Sequence, residues 1–304
     1  MLKTTKRGVL YRFFSIYQNE ARVKISRLHN LQNEYKNRAS TSKLTAYGRE
    51  KEIIIGPSIF CNAGVEVDLL KNVEDAYLLF LKLKKDSSVT SLVTFLGEHS
   101  LLIFRVGAST LKYAEAVVPT YPSKFRIHQI KLIEKGLLPL DPYPSNWDRL
   151  DWEIYNLMRD PNISFPKVAG EVGVTWKTVK EHFYKLLGDC KIWTEFFPKG
   201  KPSYFQVFLT FKTDFEVNLR DQLQKLNRTS ILYKVGETIL LTLYLNSNLE
   251  LYSFLMLEKK GLIRDLEASI PIRHWSKLRR VGPMESHPRY QVDQLLQGLQ
   301  RASL

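Results

Sequence analysis

SFPKVAGEVGVTWKTVKEHFYKLL, residues 164–187, decides how the rest of the chain is read, because its spacing predicts two short helices joined by a tight turn. Phe165, Val168, Ala169 and Val172 fall at i, i+3, i+4 and i+7, one apolar helix face with Ser164 as its N-cap. Gly173 supplies the turn and Thr175 the second N-cap, while Val174 can pack on Val179 as a hydrophobic staple. The second helix buries Val179, Phe183, Leu186 and Leu187. Upstream, Trp147, Leu150, Ile154, Leu157 and Met158 predict a further amphipathic helix, so three helices close one small core in a helix-turn-helix. The other face of the last helix shows Thr175, Trp176, Lys177, Lys180, Glu181, Tyr184 and Lys185. Polar and basic side chains at the exposed start of a recognition helix reach base edges and phosphates in the major groove. A solvated helix face, or a surface that docks protein, has the same spacing. Residues 192–197, followed by Pro198, Lys199 and Gly200, read as a winged extension.

Charge points the same way. The 304 residues carry 45 Lys+Arg against 31 Asp+Glu, a formal net charge of +14, which favours a polyanion, nucleic acid before a membrane surface. Residues 1–60 hold 12 Lys+Arg against 4 Asp+Glu, a local excess of +8. Cys61 and Cys190 are far apart and lack the paired spacing of a zinc site, so they read as buried free thiols rather than a disulfide framework. No apolar run reaches the roughly 20 residues that span a bilayer, and residues 1–12 lack the apolar core of a signal peptide, so the expected location is cytoplasmic.

Residues 9–59 read as a second copy of the module. Val9, Leu10, Phe13, Phe14 and Tyr17 predict one helix, and Ile25, Leu28, Leu31 and Tyr35 another. A third begins at Ser40 or Thr41, with Ser42, Lys43, Thr45 and Arg49 exposed toward DNA and Gly48 costing it about 1 kcal/mol relative to Ala. Residues 53–55 before Gly56-Pro57 would form its wing.

Between 64 and 131 the periodicity predicts β-α-β-β-α-β. The strands are 65–69, 92–96, 101–106 and 125–130; the helices centre on Ala76, Leu79, Phe80 and Leu83 and on Ala114, Val117 and Val118. Residues 136–146, GLLPLDPYPSN, read as a linker because three prolines disfavour helix and sheet. After the helix-turn-helix the order recurs: strands at 205–211, 231–235, 239–245 and 266–272, with helices through Leu219 and Leu223 and through Leu251, Phe254 and Leu255. FLGEHSLLIFRV from Phe95 repeats as KVGETILLTLYL from Lys234, which places Gly97 and Gly236 139 positions apart. The expected fold class is α+β, an internal duplication of winged helix-turn-helix plus ferredoxin-like βαββαβ domain. Its units are 1–60, 61–135, the linker 136–146, 147–200 and 201–275, with a basic tail at 276–304.

This order, with LDWEIYNLMRDPNISFPKVAGEVGVTWKTVKEHFYKLL leading and VGETILL at the central hairpin, resembles the leucine-responsive and asparagine-synthesis regulators, the Lrp/AsnC family. The resemblance implies a transcriptional regulator that binds double-stranded DNA, dimerises through βαββαβ domains and senses a small-molecule effector near the central hairpin. The matching positions are Gly97, Glu98 and His99 and, in the second copy, Gly236, Glu237 and Thr238. The family's turn continues with Tyr and Asp, which this chain replaces, so a purely structural turn fits the same residues. One chain holding both halves would act as a pseudo-dimer with two different reading heads. Catalytic signatures are absent: no GxxxxGK[ST], no GxGxxG after a strand, no HExxH, and six histidines without ligand spacing. No cofactor or metal is expected. An enzyme alternative follows only from paired folds of this type that decarboxylate a siroheme-type tetrapyrrole, for which His99, Arg105, Arg126 and His128 are the groups available. A protein-docking module is the third reading.

Overall fold

Alternating apolar residues build eight strands of one antiparallel sheet in the computed structural model, which describes residues 53–120, 123–160 and 163–277. The helices predicted before residue 53, with Ser42, Lys43, Thr45 and Arg49, and the tail beyond 277 lie outside the described residues. The strands are β1 (Ile53–Phe60), β2 (Val65–Leu70), β3 (Val89–Gly97), β4 (Leu101–Val106), β5 (Leu111–Val117), β6 (Lys191–Phe197), β7 (Phe205–Lys212), β8 (Ser230–Val235), β9 (Thr238–Leu245) and β10 (Arg264–Ser276). The helices are α1 (Ala76–Leu83), α2 (Arg149–Met158), α3 (Phe165–Val172), α4 (Trp176–Leu186), α5 (Glu216–Leu223) and α6 (Tyr252–Lys259). Strands β1 and β6 pair only with each other; the remaining eight lie in the order β2-β4-β3-β10-β7-β9-β8-β5.

The second half follows the expected β-α-β-β-α-β order, β7-α5-β8-β9-α6-β10, with its strands arranged β10-β7-β9-β8. The first half departs from it. Residues 111–117, expected as helix, are strand β5, which leaves its own half to pair antiparallel with β8, from Leu111 opposite Val235 to Val117 opposite Ser230. Leu111, Tyr113, Ala114, Ala116 and Val117 are all buried, so both faces of β5 are covered and its apolar residues do not alternate. That run, with two alanines and apolar residues adjacent rather than alternating, imitates a buried helix. Residues 125–130, expected as strand, instead hold a short 3₁₀ turn at Ile127–Gln129, entered by an Arg126 N–H that donates to Gln129 Oε1 at 2.7 Å. Ile127 and Ile130 are drawn into the core under α5 and α6.

β10 makes the reciprocal exchange. Its first half pairs with β7 and its second with β3, Ser269 lying opposite Phe208 on one side and Gly97 on the other. The register against β3 shifts between Pro271 and Arg273, a break at which a residue without N–H is tolerated inside a sheet. The ends of the sheet also meet: Gly64 and Val67, beside and on β2, donate their N–H groups to Ser109 Oγ and Thr110 Oγ1, just before β5, both at 2.8 Å. Val67, Phe95, Leu102, Leu111, Ala114, Phe208 and Leu240 fill the space enclosed, with Phe95 and Phe208 stacked at 4.7 Å between ring centroids.

Two further cores lie outside it. Phe80 on α1 covers Val89, Leu92, Leu101 and Ile103. Leu219, Leu223, Phe254 and Leu257 from α5 and α6 cover β7 and β9. Residues 136–146, expected as a loose linker, belong to a strap from 123 onward that is bonded along α5. The N–H of Gly136 donates to Asp214 O (2.8 Å), Gly136 O accepts from Val217 (3.0 Å), and the Leu138 N–H donates to Glu216 Oε2 (2.8 Å). Lys234 neutralises the same buried carboxylate at 2.6 Å, and burial of Leu138 adds about 2 kcal/mol. Among the described residues no helix is long and apolar enough to cross a membrane.

Candidate nucleic-acid interface

α2, α3 and α4 form where the spacing predicts, around Trp152, Ile154, Tyr155, Met158, Val168, Ala169, Val179, Phe183 and Leu186. Ile59, Cys61 and Ala63, at and beyond the end of β1, complete this core, which seats the three helices on the β1–β6 ladder. Gly173 ends α3 in the left-handed region at φ +73°, and both its N–H and that of Val174 return to Ala169 O. Thr175 is extended, its Oγ1 accepting from the Thr178 N–H at 3.2 Å, which starts α4 with the N-cap expected of it. Ser164 holds the N-cap position of α3 without a side-chain capping bond.

The turn aims the start of α4 away from the core. Trp176 is 48% exposed although indoles are usually covered, Lys177 and Glu181 are exposed, and Tyr184 is 38% exposed. Lys180 lies half-buried with its ammonium 5.9 Å from the Tyr184 ring. Among the described residues neither Lys177 nor Lys180 has an acidic partner within ion-pair distance. Lys185 is placed differently: its Nζ bonds Asp151 and donates to Asn146 O at 2.8 Å, tying α4 to the start of α2.

Asp151 is the hub of that tie. Fully buried, it accepts from the Asp148 N–H at 2.9 Å and from His182 Nδ1 at 2.7 Å, while Asp148 Oδ1 accepts from the Asp151 N–H, a reciprocal capping box. Burial pushes its pKa up, but the bonds from Lys185, the Asp148 N–H and His182 outweigh it and hold the carboxyl below its usual value. Ligand atoms of Asp148, Asp151 and His182 lie within 4.8 Å of one another, a spacing a metal ion could use. Here Lys185 supplies the positive charge at that point.

The two glycine-acid turns are not equivalent. Gly236 and Glu237 form an exposed two-residue hairpin between β8 and β9, with Thr238 opening β9. Gly97, at φ +126°, lies against β10, Glu98 is exposed, and His99 is buried. His99 Nδ1 is 2.9 Å from Ser269 Oγ, and Nε2 is 3.0 Å from Glu267 and 3.2 Å from Thr210 Oγ1. Burial lowers its pKa against the pull of Glu267, so the ring is held neutral as a joint between β3–β4, β10 and β7. Of the other groups available to a tetrapyrrole, Arg105 is ion-paired with Asp68 on β2, and Arg126 and His128 lie on the exposed side of the 3₁₀ turn. His99, Arg105 and the Arg126–His128 turn therefore lie at three separate places.

Sequence spacing also missed a pair. Cys61 follows β1 and Cys190 precedes β6, and because Phe60 lies opposite Lys191 the two thiols face each other at the end of the ladder. Only the pairing of β1 with β6, invisible to local patterning, brings them together. No protein-family model, curated protein or solved structure matches this chain.

Proposed function

We propose that this chain is a sequence-specific DNA-binding regulator whose reading element is α4, with a second head supplied by the N-terminal segment. The observation that carries the reading is the outer face of α4, where Trp176, Lys177 and Tyr184 are exposed, Lys180 lies half-buried beside them, and neither lysine is consumed by an ion pair among the described residues. Helix starts of this composition fit the major groove, where ammonium groups bind phosphates and an aromatic edge meets base methyls.

An internal duplication fits the pairing pattern. β1 and β6 hold corresponding places in the element order, as do β3 and β8, and β5 and β10. β1 pairs with β6, β5 with β8 and β10 with β3, each an exchange between the two halves. Such reciprocity is what a two-fold homodimer would display if its two copies were joined in one chain. On this reading the β1–β6 ladder is the shared base of two winged heads, and its geometry sets their spacing. Two heads of different sequence favour an asymmetric site over a perfect palindrome.

The test is retention of fragmented host DNA by the purified full chain across a salt series, with sequencing of what is held. The expected result is an enriched motif whose affinity falls steeply with salt. Lys177→Ala with Lys180→Ala should reduce the log–log salt slope by about 1.8, about 0.9 for each phosphate no longer neutralised. No retention at moderate salt, or a slope unchanged by the double substitution, overturns the assignment to α4.

A further inference from the structure

The only two cysteines of the chain, 129 positions apart, stand one position beyond the last rung of an antiparallel ladder, Phe60 opposite Lys191, where continued register sets them opposite each other. Residues directly opposite in such a ladder have Cα atoms about 4.5–5.5 Å apart, inside the roughly 4.4–6.8 Å that a disulfide spans. The two thiols lie close enough for each to act on the other, Cys190 favouring the charged form of Cys61. Their surroundings are held firmly. Tyr155 Oη accepts from the Cys61 N–H at 2.8 Å and donates to Cys61 O at 3.3 Å, and the Cys190 N–H donates to Leu186 O, the last residue of α4, at 3.0 Å.

We infer that Cys61 and Cys190 form a reversible oxidation site, taking a peroxide as oxidant and closing an intrachain disulfide that staples the end of α4 to the strand leading out of the N-terminal segment. The inference stands on the ladder register and does not depend on the DNA-binding reading. The chemistry is unequal at the two sulfurs. The bond from Cys190, helped by the Ala63 backbone N–H, holds the Cys61 thiol below the ordinary cysteine range against its burial and against Asp189 and Asp141; the same bond and burial push Cys190 up. Cys61 is therefore the attacking sulfur, and the half-buried Cys190 is the side from which a molecule as small as hydrogen peroxide reaches it.

The Cys61 thiolate attacks one peroxide oxygen, the O–O bond breaks, and the departing hydroxide takes a proton to leave as water, with a sulfenic acid on Cys61. Cys190 then gives up its proton and attacks the Cys61 sulfur; the S–O bond breaks and the hydroxide leaves as a second water. Two thiols and one peroxide become one disulfide and two waters, the sulfurs losing two electrons and the peroxide gaining them. A cellular thiol reverses the step by exchange.

The test titrates the reduced full chain with hydrogen peroxide, quenches with a thiol alkylator and reads intact mass and linked peptides. The expected product has no alkylatable thiol, a mass about 2 Da lower from the two hydrogens given up in the disulfide step, one Cys61–Cys190 peptide pair, and full recovery of both thiols with dithiothreitol. Oxidation of Cys61 in Cys190→Ala should be at least tenfold slower than thiol oxidation in the parent, because the donor to Cys61 is gone. In Cys61→Ser, whose fold is checked by an unchanged melting temperature in reductant, the peroxide-induced rise in melting temperature seen in the parent should disappear. Two thiols surviving a peroxide dose that oxidises free cysteine, links only between chains, or equal rates in parent and Cys190→Ala would each overturn the proposal.

Discussion

Replacing Gly97 by Ala should cost several times more than replacing Gly236, although the sequence aligns both as the glycine of one turn. At Gly97 the backbone sits at φ +126°, and an added Cβ would lie 2.8 Å from Ala268 O, 3.1 Å from Ser269 Cα and 3.2 Å from Ser269 Oγ. Ala268 and Ser269 belong to β10 where it pairs with β7, so the backbone cannot withdraw without breaking that ladder. The conformation costs roughly 1–3 kcal/mol for a non-glycine residue, and forcing an extra methyl into packed surroundings costs about 1–3 kcal/mol more; the sum centres on about 4 kcal/mol. At Gly236, φ is +59° and no atom lies within 4 Å of the added carbon, so the cost is only the left-handed conformation, about 1 kcal/mol. At about 2 °C per kcal/mol for a chain of this size, Gly97→Ala should lower the melting temperature by about 8 °C and Gly236→Ala by about 2 °C, both read by tryptophan fluorescence. Equal shifts, or a larger one at Gly236, would refute the argument that the approach of β10 makes the first turn special.

Asp151→Asn should destabilise the helical unit by about 2–3 kcal/mol at pH 7, since it leaves Lys185 and His182 without the carboxylate they share. Because the folded pKa of Asp151 lies below its ordinary 3.8, that contribution is present above this value and lost as pH falls through the lower folded value; the gap in urea midpoint between parent and variant should close below pH 4. His99 gives a second window. Its folded pKa lies below 6.5, so the stability of the parent is full above pH 6.5 and declines as pH falls beneath it, and His99→Gln should remove that part of the slope between pH 7.5 and 5 in melting temperature. Tyr155→Phe removes the hydroxyl that satisfies both backbone groups of Cys61; the orphaned N–H costs about 1–3 kcal/mol, and amide exchange at Cys61 should quicken more than at the neighbouring strand.

Local patterning suffices where the partner does not change the element. Val168, Ala169, Val179, Phe183 and Leu186 are buried at the helical spacing that predicts them, and β7, β8 and β9 form where the alternating apolar residues of 205–245 place strands, although β7 and β9 are buried on both faces. It fails where a partner far along the chain decides. β5 is a strand because β8, more than 110 residues later, covers its edge while both its faces are buried, and its run of adjacent apolar residues otherwise suits a helix. The stretch 136–146 is legible as neither helix nor sheet, but not as packed: Leu138 is held by a Glu216 carboxylate that only the folded α5 presents. At the candidate site the exposed residues of α4 can be read from spacing, whereas the diversion of Lys185 to Asp151 cannot, because it depends on how α2 crosses α4. The pairing of Cys61 with Cys190 belongs to the same class of long-range facts.

The shared position of β10 also sets a clock. β3 ends at Gly97 and its neighbour β10 ends at Ser276, so a ribosome must add 179 residues before that edge can be closed. At about 5–20 residues per second the delay is roughly 9–36 seconds, during which Leu92 and Phe95 lie on a strand with one open side. β5 waits in the same way for β8. The nascent chain therefore carries two adhesive edges through most of its synthesis, and crowding of ribosomes on one message should favour pairing between neighbouring copies over closure within each.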